Sequence, residues 1–144
     1  MPKTALVVDD SKSILSLMRK VLDVAGYNVQ VINAGVSGDT TAGGLSRLEW
    51  ALTDNPHIVL VELGGNDALR GLPPAETYAN LESIIVKLKK NGVRVVLAGM
   101  QAPRNLGKDY TLEFDAIYPR LAGQYDIPLY PFFLDGVALD PALN

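Results

Sequence analysis

The sequence predicts an α/β domain built on a parallel sheet, and three observations predict it. Short β-branched runs close on polar or glycine-rich residues, and helical patterns of about a dozen residues separate them. The runs themselves read as continuous apolar stretches, as in Ile58-Val59-Leu60-Val61. That is the pattern of strands covered on both faces rather than on one. The 144 residues suit a single domain, 1–144, and a chain of this size buries roughly two-thirds of the surface its unfolded form exposes.

Five strands are expected, at residues 5–8, 28–33, 58–62, 94–98 and 128–131. Residues 13–25 place Ile14, Leu17, Met18, Val21 and Leu22 on one helical stripe, with Gly26 as the stop. A second helix is expected from 40 or 41 to 53. Pro74 opens a third, whose buried stripe is Tyr78, Leu81, Ile84, Ile85 and Leu88 and which Asn91-Gly92 closes. A fourth covers 110–124, with Pro119 bending or dividing it. Residues 132–144 carry no helical period. The expected architecture is a flavodoxin-like three-layer sandwich, strand order 2-1-3-4-5, lacking its last helix. With one helix for that face, an apolar patch around strands three to five is expected to be covered by a second copy of the chain.

Composition narrows the function classes. At 48% apolar and 20% charged, with a mean hydropathy of +0.14, the chain is globular. It has no cysteine, which excludes disulfides, thiolate nucleophiles and cysteine-based metal sites. A net charge of −3 gives no electrostatic case for nucleic acid or an anionic membrane. No stretch approaches the ~18 apolar residues of a membrane span, and the short apolar run into which Met1–Thr4 leads ends in two aspartates, too short and too acid-flanked for a signal peptide. A cytoplasmic or recombinant location is expected, with a periplasmic or secreted origin for any parent enzyme.

In such a sheet, chemistry gathers just after the strands. Val36-Ser37-Gly38-Asp39-Thr40 follows the second, and Glu62-Leu63-Gly64-Gly65-Asn66-Asp67 ends and follows the third. These strings resemble the second and third sequence blocks of the SGNH/GDSL hydrolases, in the lysophospholipase/thioesterase/arylesterase branch. Leu69-Arg70-Gly71, Ala116-Ile117-Tyr118-Pro119 and the segment from Pro128 to Phe133 continue the likeness over about 31–144. The resemblance implies an acyl ester as substrate, no required cofactor, and an oxyanion hole completed by Gly38 and Asn66. A glycine lets a backbone N–H approach a developing oxyanion, and an asparagine amide adds a second donor; removing one such donor typically costs about 3–4 kcal/mol of transition-state stabilisation.

Residues 1–30 point elsewhere. Ala5-Leu6-Val7-Val8-Asp9-Asp10-Ser11, followed by the helical run from Ser13 to Leu22, resembles a response-regulator receiver, in which paired acids after strand one bind Mg²⁺. The receiver's phosphoacceptor, Ser/Thr and lysine positions correspond to Glu62, Gly99 and Tyr130, three departures. Asp9, Asp10 and Glu62 could still hold a hard cation weakly, Mg²⁺ at Asp9/Asp10 being the candidate. Ser11 falls at the esterase nucleophile position, although Asp9 and Lys12 replace the Gly and Leu of Gly-Asp-Ser-Leu; Ser11 reads equally well as the first helix's N-cap.

The esterase family places an Asp-x-x-His near its C-terminus, where histidine takes the serine proton. The sequence ends at Asp140-Pro141-Ala142-Leu143-Asn144, before such a block. The one histidine, His57, precedes the third strand, so strand length alone sets it roughly 15 Å from the end where Ser11 is expected. The leading expectation is therefore an engineered or recombined chimera, receiver start on truncated esterase body, without substantial catalytic activity. The second is an esterase or thioesterase acting through Ser11 with its base supplied from elsewhere, and the third a receiver-like signalling domain.

Overall fold

A computed structural model describes residues 5–7, 16, 20 and 31–136. Among these residues, five strands form one sheet: β1 (Ala5–Val7), β2 (Val31–Asn33), β3 (Ile58–Val61), β4 (Arg94–Ala98) and β5 (Leu129–Tyr130). Every pairing is parallel, in the order β2-β1-β3-β4-β5. Register aligns Leu6 with Ile32 and Val59, and Val59 with Val95. The fifth strand is two residues long, shorter than expected, because Pro128 and Pro131 at its ends have no N–H to give the ladder. Ser16 and Lys20 are helical and exposed. The rest of the expected first helix, residues 28–30 of the second strand, and Val137, Ala138 and Leu143 of the tail lie outside the described residues.

Among the described residues, six α-helices follow β2: α1 (Thr41–Ser46), α2 (Leu48–Ala51), α3 (Gly65–Leu69), α4 (Pro74–Lys90), α5 (Lys108–Asp115) and α6 (Ile117–Tyr125). Helix α4 is the best defined by its own sequence. Pro74 stands in its first turn with Glu76, and Lys87, Lys89 and Lys90 stand in its last, so both ends complement the helix dipole. Its C-terminus is a Schellman turn: Gly92, at φ +73°, donates to Lys89 O at 3.0 Å, and Val93 donates to Leu88 O at 3.0 Å. Thr77, Leu81, Ile84, Ile85 and Leu88 are buried on one stripe, while Tyr78 lies at its edge.

That stripe packs on one face of the sheet, where Val59 and Val61 of β3 and Val95 and Leu97 of β4 are buried. Phe114, Ile117, Tyr118 and Leu121 complete this core. The alternate strand residues Ile58, Leu60 and Val96 point to the opposite face and are half-buried.

Two expected helices are divided. The span 41–53 breaks at Arg47 (φ −107°, ψ 7°) into α1, α2 and a 3-10 turn, Leu52–Asp54. Gly43-Gly44 weakens helical preference there, and Gly44 lies close against Leu63, whose side chain would have to shift for a Cβ that would stand 2.4 Å from its Cδ1. The span 110–124 divides at Ala116, three residues before Pro119. Proline supplies no N–H to the carbonyl four residues back, so the break falls ahead of it. Helix α3 is not among the helices that the sequence pattern predicts. Gly-Gly-Asn-Asp has turn chemistry, and tertiary hydrogen bonds hold it in a helical turn.

Candidate active site

The carboxyl ends of β2 and β3 open into a cleft of about 250 Å³, lined among others by Ser37, Gly38, Asp39, Glu62, Gly65 and Asn66. The first wall is the turn after β2. Val36 O accepts from Asp39 N at 3.1 Å, and Gly38 takes φ +76° at the third position of that turn, where a side chain is disfavoured. Two arginines hold this turn, of which Arg47 also lines the cleft. Arg70 Nη2 donates to Gly38 O at 2.8 Å. Arg47 donates through Nε to Asp39 Oδ2 at 2.7 Å and through Nη1 to Ala34 O. Thr40 caps α1, its hydroxyl accepting from Gly43 N at 3.2 Å.

The second wall begins at Glu62 and turns through Gly64, at φ +110°, into α3. Tyr118 Oη donates to Leu63 O at 2.9 Å and lies so near that a Cβ on Gly64 would stand 2.1 Å from it. Asn66 Nδ2 reaches across to the first wall and donates to Asp39 O at 2.9 Å, linking segments 27 residues apart. Behind it, the buried carboxylate of Asp67 accepts from Thr41 N (2.9 Å), Thr41 Oγ1 (2.5 Å) and Thr77 Oγ1 (3.3 Å).

The structure therefore brings Gly38, Glu62 and Asn66 to one cleft. Asp9, Asp10 and Ser11 lie outside the described residues. Among the described residues no group of three His, Cys, Asp or Glu side chains could hold a metal ion. Exposed His57 lines a different cleft with Asn55, Asn91 and Arg94, at the amino ends of the strands. Reading the sequence alone missed Asp67, Thr41, Tyr118 and Arg47 as supports of the site. Asp67 was visible only as the acid after Asn66, and nothing local announces that it is buried.

Burial, and then the negative charges of Asp67, Glu62 and Asp115, push the Tyr118 phenol far above its ordinary 10.0. The folded chain thus keeps a proton that the unfolded chain releases. This contribution is whole below pH 10.0 and is lost as the pH rises beyond it. Urea unfolding at neutral pH and at about pH 11 should show a smaller alkaline loss in Tyr118→Phe than in the parent. Equal losses would remove Tyr118 as the cause.

Comparison with known proteins extends the likeness over the whole chain. The model of the GDSL-like Lipase/Acylhydrolase family matches residues 8–144. Esterase TesA of Pseudomonas aeruginosa is 45% identical over 134 residues, covering 92% of this chain and 67% of that protein. An arylesterase of Vibrio mimicus is 44% identical over 131 residues, covering 90% of this chain and 66% of that one. The chain thus spans about two-thirds of the length of these two relatives. The crystal structure of AlinE4, an SGNH-hydrolase family esterase, superposes with a TM-score of 0.93 at 43% identity, covering 100% of this chain and 83% of that one. These matches correct the expectation of a receiver start. The family match begins at residue 8 and AlinE4 covers the chain from its first residue, so a seam near residue 30 has no support. A strand ending in acids before an amphipathic helix is common to βα units of many functions, which is why residues 1–30 resembled a receiver.

Proposed function

Since the chain belongs to the GDSL-like lipase/acylhydrolase family, we propose that it acts on acyl esters, with Ser11 as nucleophile and Gly38 and Asn66 as oxyanion donors. The observation that carries this reading is the convergence of Gly38 and Asn66, from separate turns, on one cleft. Donors fixed before the reaction need no reorganisation as charge develops on the carbonyl oxygen, which is where such sites gain most. Attack by Ser11 on the acyl carbon would form a tetrahedral oxyanion, and the seryl proton would pass to a base. The esterase names of the relatives support esters over amides. The mechanism calls on no cofactor; a weak Mg²⁺ at Asp9 and Asp10 beside Glu62 would be a separate property. We read the fold, on its sheet order, as flavodoxin-like.

The one imidazole of these 144 residues stands at the far end of the sheet. Unaided, the chain is expected to keep only the binding and oxyanion share of catalysis, about 10³–10⁴ over water. Hydrolysis of p-nitrophenyl butyrate with increasing free imidazole tests this. Imidazole is expected to accelerate the parent well beyond Ser11→Ala. Identical rates for the two proteins at every imidazole concentration would refute the assignment.

A further inference from the structure

We propose that Asp67 is a positioning residue that sets the relative placement of Gly38 and Asn66; the proposal rests on reading those two as oxyanion donors. The two donors lie on segments rich in glycine, Gly35 and Gly38 on one and Gly64 and Gly65 on the other. Glycine gives such segments backbone freedom, so their separation has to be fixed from outside.

Asp67 fixes it from a buried position, with 1% of its surface exposed. It follows Asn66 directly in α3. Its carboxylate takes the backbone N–H and hydroxyl of Thr41, the first residue of α1 and three residues beyond Gly38, and also the hydroxyl of Thr77 in α4. Asn80 Nδ2 donates to Thr41 Oγ1 at 3.1 Å and closes the network on α4. One side chain thus joins the segment carrying Gly38, the turn carrying Asn66 and helix α4. Only an acceptor-only group suits three converging donors, since an amide at this place would bring two N–H groups of its own. Charge-assisted bonds in a dry interior are also stronger and shorter than neutral ones.

The test is Asp67→Asn in the full chain, with ester hydrolysis measured in added imidazole and with the NMR resonances of the Gly38 amide and Asn66 side-chain amide. A shift of about 1 Å in a catalytic group costs on the order of 100-fold, so kcat should fall at least about tenfold. KM should stay within about twofold, because substrate binding is untouched. Both resonances should move. Thr41→Val should reproduce these effects more weakly and Thr41→Ser should restore them, and this pair decides between the outcomes if Asp67→Asn does not fold. Loss of thermal stability with kcat and both resonances unchanged would overturn the proposal. If the parent shows no Ser11-dependent hydrolysis, the esterase reading fails by itself and the resonances decide: movement of both supports positioning by Asp67, and unmoved signals refute it.

Discussion

Gly64→Ala should cost about 3 kcal/mol of folding stability, the sum of left-handed backbone strain and the overpacking of a filled site. Gly64 combines φ +110° with a space that Tyr118 already occupies: the added carbon would stand 2.1 Å from Tyr118 Oη and 3.6 Å from Thr77 Cγ2. Tyr118 cannot simply withdraw, since it is 1% exposed and its hydroxyl is bonded to Leu63 O. Gly71 is the internal control. It too has positive φ, +63°, but nothing lies within 4 Å of the place its Cβ would take. Gly71→Ala should therefore show only the backbone share, about 1 kcal/mol. Urea denaturation of the two variants separates the causes, and an equal loss in both would mean that crowding against Tyr118 contributes nothing.

The second large effect is expected on rate. Asn66→Ala should lower kcat for p-nitrophenyl butyrate by about 10²–10³ relative to the parent in imidazole, the usual cost of removing one oxyanion donor. Asn66 also donates to Asp39 O, so part of the loss would come from loosening of the opposite wall. Asn66→Asp distinguishes the two parts. It keeps the shape but replaces the donor with an acceptor facing a developing negative charge, and its kcat should be at least as low as that of Asn66→Ala. Recovery of activity in the aspartate variant would remove Asn66 as a donor.

Much of this architecture could be read from residues alone where local and tertiary preferences agree. Helix α4 is the clearest case: Pro74, the apolar stripe and Asn91-Gly92 all specify the same ends, and the structure starts and stops there. Strand β4 likewise spans the expected residues. Legibility failed where a tertiary partner decides. The expected helix divides at Arg47, whose side chain bonds Asp39 and Ala34 from the turn after β2. Gly65–Leu69 is helical although its residues favour turns, since Thr41 and Thr77 hold Asp67 in place. At the site, glycine and asparagine after strands were visible as candidates. Their supports were not, because Tyr118 and Thr41 come from elements whose approach no short string encodes. The receiver reading of residues 1–30 erred by giving a short acidic string the weight of a whole family.

The Asp67 network has a consequence for the solvents this protein tolerates. Its three donors among the described residues are uncharged, and none of the ion pairs found there includes it. Dissolved ions act on exposed charges, such as Arg104 with Asp115 at the surface, and have little to screen around a carboxylate sealed among hydroxyls and an amide. Brine would weaken the outer couple and leave the brace behind the cleft intact.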